Sequence, residues 1–186
     1  MSTVVVTEYV SLDGIFEEPG QWSFPFWTDE AAQFKYDELF ASDALLLGRV
    51  TYQGFAAAWP TVTDAGDFGE RMNGMPKYVA STTLDEMEWN ASRIKGDVAE
   101  EVARLKQQPG RDLLVAGSGE LVQTLMRHDL IDEYRFMVHP IILGSGKRLF
   151  REGYDTTALK LVDTKTFSSG VVVLTYQPDR KEARNP

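Results

Sequence analysis

The chain has 186 residues, of which 43% are hydrophobic and 25% charged, a balance that fits one soluble globular domain. Asp and Glu (28) outnumber Lys and Arg (19), and the net charge of -9 argues against non-specific binding to nucleic acid or to an anionic membrane. There is no cysteine and there are only 2 histidines, so disulfides, thiol nucleophiles and cysteine zinc sites are excluded, and we expect no metal site.

Strands alternate with helices up to residue 130, and strands predominate after it. The Asp13-Gly14 dipeptide ends the first strand as a turn, and Pro25 forbids a regular helix through the aromatic-rich residues 20–27. The predicted elements, in chain order, are a strand at 4–12, a helix at 28–40, a strand at 44–47, a helix at 51–58, a surface loop at 61–73, strands at 77–80 and 89–94, a helix at 97–107, a strand at 112–116, a helix at 120–128, a strand at 131–138, a loop at 140–146, and strands at 159–167 and 171–176.

This order of elements predicts an α/β domain with a largely parallel central sheet. The turn at Ser168-Ser169-Gly170 joins the last two strands and predicts an antiparallel C-terminal hairpin at the edge of that sheet. Since there is no linker, repeat or break in composition, we expect a single domain over residues 1–178. The charged residues 179–186 are expected to form a frayed tail.

Three of the predicted strands end in small or basic polar residues. Ligands of open α/β sheets bind beyond the carboxyl ends of the strands, and free N–H groups at the start of a helix attract phosphate. Two of the three clusters open helices in this way, so together they predict a site for a phosphate-bearing ligand. The clusters are Gly48-Arg49-Val50-Thr51, Ser81-Thr82-Thr83 and Gly117-Ser118-Gly119-Glu120.

The first two clusters suit a phosphate monoester. Arg49 presents a permanently charged planar fork, and Thr51 offers a hydroxyl at the start of a helix. Ser81 and Thr82 offer two further hydroxyls from the neighbouring strand end. A site of this kind prefers NADPH to NADH, because its positive charge attracts the 2′-phosphate that only NADPH carries. The alternative is a surface arginine beside a helix start, which is a common feature.

The glycine-rich turn at residues 117–119 suits a pyrophosphate. Glycine lets a ligand approach the backbone, and the helix that follows supplies hydrogen-bond donors. The turn lacks the third glycine of the dinucleotide-binding fingerprint, since Val122 stands at that position. The alternative is an ordinary turn between a strand and a helix.

The ordered set of motifs resembles the dihydrofolate reductase superfamily. In this set, one strand is followed by Gly-Arg-x-Thr and a helix, and a second strand is followed by Ser-Thr. The segment 115–120 (Val-Ala-Gly-Ser-Gly-Glu) then leads into another helix. Ser11-Leu12-Asp13-Gly14 and the segment 140–150 narrow the resemblance to the C-terminal reductase domain of the bifunctional riboflavin-biosynthesis deaminase–reductases, and most closely to stand-alone relatives. The resemblance spans nearly the whole chain, from Val4 to Tyr176.

The resemblance implies a three-layer dihydrofolate-reductase-like fold with NADPH as the cofactor. Its motifs assign Arg49 and Thr51 to the adenosine 2′-phosphate and the glycine-rich turn to the pyrophosphate. Glu120 departs from the expected pattern, because an acidic side chain near a pyrophosphate is unfavourable unless it points away. The implied cofactor-binding residues are Gly48, Arg49, Val50, Thr51, Ser81, Thr82, Gly117, Ser118, Gly119, Glu120 and Leu121.

Two carboxylates are candidates for the catalytic proton donor. Glu30, four residues before Phe34 on the first helix, resembles the helix carboxylate of dihydrofolate reductases, although the helix dipole also favours acidic residues there. Asp13 lies at the end of the first strand, where the resemblance places the nicotinamide, although a simple Asp-Gly turn explains it equally well.

Candidate substrate contacts are Trp22, Trp27 and Lys147. The aromatic residues of segment 20–27 form either a pocket or lid for a flat ring, or else a core or dimer contact. Lys147, with Arg148 beside it, is either a site for a substrate phosphate or a solvated loop end.

These features predict an NADPH-dependent reductase of a small heterocyclic substrate, related to 5-amino-6-(5-phosphoribosylamino)uracil reductase and dihydrofolate reductase. The alternative is a nucleotide-binding or interaction module that keeps the NADPH site without catalysis. Without cysteine the chain cannot deaminate by the zinc chemistry of the bifunctional enzymes. In the absence of a secretory signal or a membrane span we expect a cytoplasmic protein, with no nucleic-acid or membrane partner, and the aromatic content is compatible with a homodimer.

Overall fold

The computed structural model describes residues 1–180, which contain the following strands and helices. The strands are β1 (Val4–Ser11), β2 (Ser42–Gly48), β3 (Lys77–Ala80), β4 (Ala91–Arg93), β5 (Asp112–Ala116), β6 (Glu133–His139), β7 (Leu159–Thr166) and β8 (Val172–Pro178). The helices are α1 (Asp29–Ala41), α2 (Arg49–Ala58), α3 (Gly66–Gly74), α4 (Val98–Lys106) and α5 (Gly119–Arg127), with short 3-10 turns at Pro19–Gln21, Phe24–Phe26 and Trp59–Thr61.

The strands form one 8-stranded sheet in the order β4-β3-β2-β5-β1-β6-β8-β7. The pairs from β4 to β6 are all parallel, whereas β8 pairs antiparallel with both β6 and β7. The predicted fold class, a largely parallel sheet with an antiparallel C-terminal hairpin at the edge, is therefore confirmed. Because β5 lies between β1 and β2, the carboxyl ends of these three strands meet at the centre of one edge of the sheet.

Helices cover both faces of the sheet, which gives the three layers. Val4, Val6 and Val10 of β1 enter the core beneath α4 and α5, whereas Val5 enters the core beneath α1, α2 and α3. The central strands are thus buried on both faces, which explains why they read as nearly continuous apolar runs in the sequence.

The prediction of a surface loop over residues 61–73 is wrong, because most of this segment belongs to α3. Its glycines lower the intrinsic helix propensity, which is why the sequence favoured a loop. Met72 is nevertheless buried, and Phe68, four residues earlier on the same helix face, packs against the same core. Burial of this apolar face outweighs the propensity.

The candidate strand at 89–94 is shorter than predicted. Only Ala91–Arg93 pairs as a strand, because Trp89 and Asn90 have positive φ angles of 57° and 52° and form a turn. At the C-terminus, the backbone N–H of Asp179 donates to Ala158 O at 2.9 Å. The rest of the predicted tail, residues 181–186, lies outside the described residues. Within residues 1–180, every helix is too short or too polar to cross a membrane.

Candidate functional site

The carboxyl ends of β2 and β5 bring two of the predicted clusters together. These strands are parallel neighbours with Leu46 opposite Val115, so the turns that follow them lie side by side. The backbone N–H of Gly48 donates to Ser118 Oγ at 2.8 Å, and the backbone N–H of Ser118 donates to Thr51 Oγ1 at 3.1 Å. The two hydrogen bonds cross-link the turn between β2 and α2 to the turn between β5 and α5.

The turn between β5 and α5 has an unusual backbone. Gly117 and Ser118 both have positive φ, 55° and 63°. A Cβ on Gly117 would stand 3.0 Å from Thr51 Oγ1, so both conformation and space favour glycine there. Ser118 adopts the left-handed region without being glycine, which costs about 1–2 kcal/mol. Its hydroxyl offsets this cost by donating to Ala116 O at 2.9 Å and accepting from Gly48.

The first turn of α5 presents backbone N–H groups at this edge of the sheet. No side chain caps them, because the hydroxyl of the N-cap residue Ser118 is used between the two turns. The phenyl ring of Phe16 lies against this turn, and a Cβ on Gly119 would stand 2.6 Å from Phe16 Cζ, so a side chain at position 119 would displace the ring. The uncapped N–H groups and the bare glycine backbone form a cradle for an anion such as a pyrophosphate.

Arg49 lies exposed at the start of α2, next to this cradle. Its Nη1 donates to Gln53 Oε1 at 3.1 Å, and within residues 1–180 no carboxylate forms an ion pair with it. The neighbouring Val50 is also exposed. The guanidinium charge is therefore available to an anionic ligand.

Ser81 and Thr82 follow β3, whose last residue, Ala80, stands opposite Gly48 of β2. The hydroxyl oxygen of Ser81 accepts hydrogen bonds from the backbone N–H groups two and three residues further on, at 3.2 and 3.1 Å. This hydroxyl shapes its own turn and keeps its hydrogen to donate. The structure thus brings all three predicted clusters to one edge of the sheet.

Glu120, in the first turn of α5, forms an ion pair with Arg151. Its Oε1 lies 2.5 Å from Arg151 Nη2, and its side chain is 81% exposed. The ion pair answers the concern that an acid beside a pyrophosphate is unfavourable, because Arg151 neutralises the charge and holds the carboxylate. Leu121 is buried in the core beneath α5, so only its backbone N–H faces the site.

Asp13 holds the loop that follows β6. Its carboxylate accepts hydrogen bonds from the Ser11 hydroxyl (2.6 Å) and from the backbone N–H groups of Leu143 (3.1 Å) and Gly144 (2.8 Å). These bonds, with that of Ser11 the strongest influence, lower the pKa of Asp13 to about 2. At neutral pH the carboxylate is ionised and has no proton to donate in this arrangement.

Glu30 lies in the first turn of α1 and contacts the turn between β7 and β8. Its Oε2 accepts from the backbone N–H of Ser168 at 2.8 Å and from the Ser168 hydroxyl at 2.7 Å. Both hydrogen bonds lower the pKa of Glu30. The two candidate proton donors are therefore both hydrogen-bond acceptors: Asp13 joins the loops that follow β1 and β6, and Glu30 joins the turn between β7 and β8 to α1.

Trp22 and Trp27 have different environments in the segment that precedes α1. Trp22 is 8% exposed, its Nε1 donates to Glu17 O at 2.9 Å, and its ring packs edge-on against His139 at 5.2 Å between centroids. Phe26 packs against the same imidazole at 5.9 Å. Trp22 thus seals the segment onto the sheet, whereas Trp27 is 46% exposed and accessible to a ligand.

Lys147 is a side chain of the loop after β6. Its backbone N–H donates to Glu17 Oε2 at 3.0 Å, and its Nζ, on a side chain that is 69% exposed, lies 3.9 Å from Glu17 Oε1. The next residue, Arg148, forms an antiparallel bridge with Ile15. Lys147 therefore lies beside the loop that follows β1, and the carboxylate of Glu17 partly neutralises its charge.

Glu8, in the middle of β1, is a candidate that sequence reasoning missed. It is 3% exposed, it lies beside Gly117 because Thr7 pairs with Ala116, and its Oε1 has no hydrogen-bond partner within residues 1–180. Burial raises the pKa of Glu8 well above its ordinary value, against the opposing effects of the Lys35 charge and the Gly117 N–H. The signal in the sequence is that Glu8 is the only charged residue of the first strand.

A cavity of about 190 Å³ lies on the same face of the sheet, and Glu8 is not one of the residues that line it. Its lining is largely apolar. Val10, one of the lining residues, lies two residues after Glu8 on β1, and Phe136, another, pairs with Glu8 on β6. The lining residues are Val10, Gly14, Phe136, Val138, Arg148, Leu149 and Phe150.

Known proteins share this sequence pattern and this fold. The Bacillus subtilis protein YyaP, which is uncharacterized, is 36% identical over 143 residues that cover 75% of this chain and 76% of YyaP. A riboflavin biosynthesis protein from Shewanella superposes with a TM-score of 0.77 at 22% identity, over 96% of this chain and 99% of that one. Dihydrofolate reductase from Enterococcus faecalis, complexed with NADP(H), superposes with a TM-score of 0.59 at 15% identity, over 95% and 96% of the two chains.

The structural likenesses show a dihydrofolate-reductase-like fold, as the motifs predicted. The family model of the RibD C-terminal domain matches residues 2–173, which is nearly the whole chain. The chain therefore belongs to the RibD C-terminal domain family.

Proposed function

We propose that the chain binds NADPH across the carboxyl edge of its sheet and reduces a small heterocyclic substrate. The observation that carries the proposal is the hydrogen-bonded pair of turns after β2 and β5, with the unpaired Arg49 beside them. Membership of a family of reductase domains supports it, as does the fold shared with a dihydrofolate reductase that is complexed with NADP(H).

The residues of the site fit this cofactor. Arg49 would hold the 2′-phosphate, with the hydroxyls of Thr51, Ser81 and Thr82 close by. The uncapped N–H groups of α5 would hold the pyrophosphate, where the charge of Glu120 is neutralised by its ion pair. When bound, NADPH supplies a hydride, and the protein's task is to place the substrate against it.

On the substrate side we assign positioning roles to the two acids. Asp13 holds the loop after β6 and Glu30 holds the turn between β7 and β8, and in these contacts both act as hydrogen-bond acceptors. Trp27 and Lys147, both accessible to a ligand, are the proposed substrate contacts, whereas Trp22 is buried against His139. The proton that accompanies the hydride then comes from water.

The cofactor assignment is tested by Arg49→Ala. Removal of a charged hydrogen bond costs about 1.5–3 kcal/mol, so we expect the Kd for NADPH to rise roughly ten- to a hundred-fold. The Kd for NADH should change little, because NADH has no 2′-phosphate. Both constants are measured by titration of cofactor fluorescence.

Arg104→Ala is the matched control, since Arg104 is also an exposed helix arginine but lies in the last turn of α4, which leads into the opposite end of β5. An equal loss of NADPH and NADH affinity in Arg49→Ala would contradict the assignment. Oxidation of NADPH is then followed with a panel of pterins, dihydrofolate and ribityl-pyrimidines. Binding without turnover of any of them would favour the alternative, a nucleotide-binding module without catalysis.

A further inference from the structure

Glu8 lies between the anion cradle and the cavity. β1 is the neighbour of β5, and Glu8 faces the α4 and α5 side of the sheet, because Val6 and Val10, two residues before and after it, both enter that core. Thr7 pairs with Ala116, so Glu8 lies beside Gly117 in the turn that opens α5, and the N–H of Gly117 favours the ionised form of its carboxyl group. Phe136, a wall of the cavity, stands opposite Glu8 on β6.

The order of the strands predicts how a bound dinucleotide would be oriented across the edge of the sheet. β3, β2, β5 and β1 follow one another across the sheet. A ligand with its 2′-phosphate at Arg49, just after β2, and its pyrophosphate at the start of α5, after β5, continues towards β1. Three buried side-chain polar atoms lack a hydrogen-bond partner within residues 1–180, and of these only Glu8 Oε1 belongs to β1. The other two belong to Arg71 of α3 and Ser169 of the turn between β7 and β8.

The protonation state of Glu8 defines what it can recognise. Burial, which raises the pKa of this carboxyl group, favours the neutral acid. A neutral carboxylic acid offers one O–H donor together with acceptor oxygens, whereas a carboxylate only accepts. A primary carboxamide offers the matching pair, an N–H donor and a carbonyl acceptor. The nicotinamide end of NADPH carries such a carboxamide on a flat ring.

We propose that Glu8 recognises the carboxamide of the nicotinamide through its unpaired Oε1, with the ring in the apolar cavity beside Val10 and Phe136. This inference rests on the proposed function, since it requires a nicotinamide cofactor on this edge of the sheet. The Phe16 ring, which now lies against Gly119, moves aside as the cofactor enters.

The wild-type chain provides the first test, with three ligands measured by isothermal titration calorimetry. They are NADP⁺, its 3-acetylpyridine analogue, in which a methyl group replaces the carboxamide NH₂, and 2′-phospho-ADP-ribose, which has no nicotinamide. We expect the acetylpyridine analogue to bind about five- to tenfold more weakly than NADP⁺, because one hydrogen bond to Glu8 is lost. Equal affinity for the two would overturn the proposal.

Two substitutions provide the second test. Glu8→Gln keeps a donor and an acceptor on the same skeleton, so its Kd for NADP⁺ should stay within about threefold of wild type. Glu8→Leu removes both, and its Kd for NADP⁺ should rise about tenfold while its Kd for 2′-phospho-ADP-ribose is unchanged. A parallel loss for both ligands would show that Glu8 only supports the turn at Gly117, and would overturn the proposal.

The ligands separate this inference from the proposed function. If wild type binds 2′-phospho-ADP-ribose but binds NADP⁺ and its acetylpyridine analogue equally well, the proposed cofactor site is supported and the proposed role of Glu8 is overturned. If wild type binds none of the three ligands, both proposals fail. If Glu8→Leu does not fold, as judged by near-ultraviolet circular dichroism, the comparison of ligands on wild type still decides the role of Glu8.

Discussion

At the scale of single residues, Ser118 shows how one side chain serves two turns. Its φ of 63° is a conformation that glycine adopts more easily, yet its hydroxyl bonds to both Gly48 N and Ala116 O. Two hydrogen bonds worth about 0.5–1.5 kcal/mol each are enough to offset the cost of the left-handed backbone. The sequence motif indicated a ligand contact at this position, whereas the structure shows that the hydroxyl first positions the backbone that a ligand would touch.

Asp13 gives a pH-dependent prediction at the same scale. Its folded pKa of about 2 lies below the ordinary value of 3.8, so the ionised form stabilises the fold. This contribution is fully present above about pH 4 and is lost as the pH falls towards about 2. The stability difference between wild type and Asp13→Asn should therefore be largest at neutral pH and shrink through this window, as measured by urea unfolding at a series of pH values.

Asp64→Asn, at an exposed loop position, is the control for that series. A difference between wild type and Asp13→Asn that stays constant over the same window would contradict the assignment of the stabilising contacts to the ionised carboxylate.

At the scale of secondary-structure elements, α1 is attached to the sheet by buried charges. Glu38 has a side chain that is 1% exposed and pairs with Lys35 on the same helix, and its Oε1 lies 3.4 Å from Arg135 Nη1 on β6. Glu38→Leu removes the carboxylate shared by two partly buried cations, and Arg135 keeps Glu133 as a partner, so we expect a loss of about 3 kcal/mol in the free energy of unfolding.

The exposed pair of Glu101 and Arg104 on α4 is the matched control for this loss. Glu101→Leu should cost less than about 1 kcal/mol, because surface ion pairs contribute little. Urea unfolding of both variants measures the difference. Equal, small losses would mean that the network at Glu38 is not what holds α1 in place.

The elements also show what the sequence could and could not predict. Strands with a continuous apolar pattern, such as β2 and β5, were located correctly because burial on both faces leaves a clear signal. The helix α3 was missed because its stability comes from contacts of Phe68 and Met72 with distant residues. Glu8 was missed for a similar reason, since its significance depends on Gly117, a neighbour that only the pairing of β1 with β5 brings close.

At the scale of the whole molecule, the candidate site would bind an anion on a protein whose net charge is itself negative. The chain carries a net charge of -9, and NADPH is also an anion. The proposed binding therefore relies on local features, namely the guanidinium of Arg49 and the N–H groups of α5, rather than on long-range attraction. These features lie on turns fixed by β2 and β5, two central strands, so a bound cofactor is coupled to the stability of the whole sheet.

That coupling makes the cofactor preference measurable as a thermal shift. A ligand at one hundred times its Kd stabilises a protein by about 2.7 kcal/mol, which for a domain of this size raises Tm by roughly 5–11 °C. We expect such a rise with NADPH in differential scanning fluorimetry and a clearly smaller rise with NADH at the same concentration, because only NADPH has the 2′-phosphate that we assign to Arg49. In Arg49→Ala the NADPH shift should fall to the NADH value. Equal thermal shifts for the two cofactors in wild type would show that Arg49 does not bind the 2′-phosphate. The cofactor orientation that brings the nicotinamide to Glu8 would then lose its support.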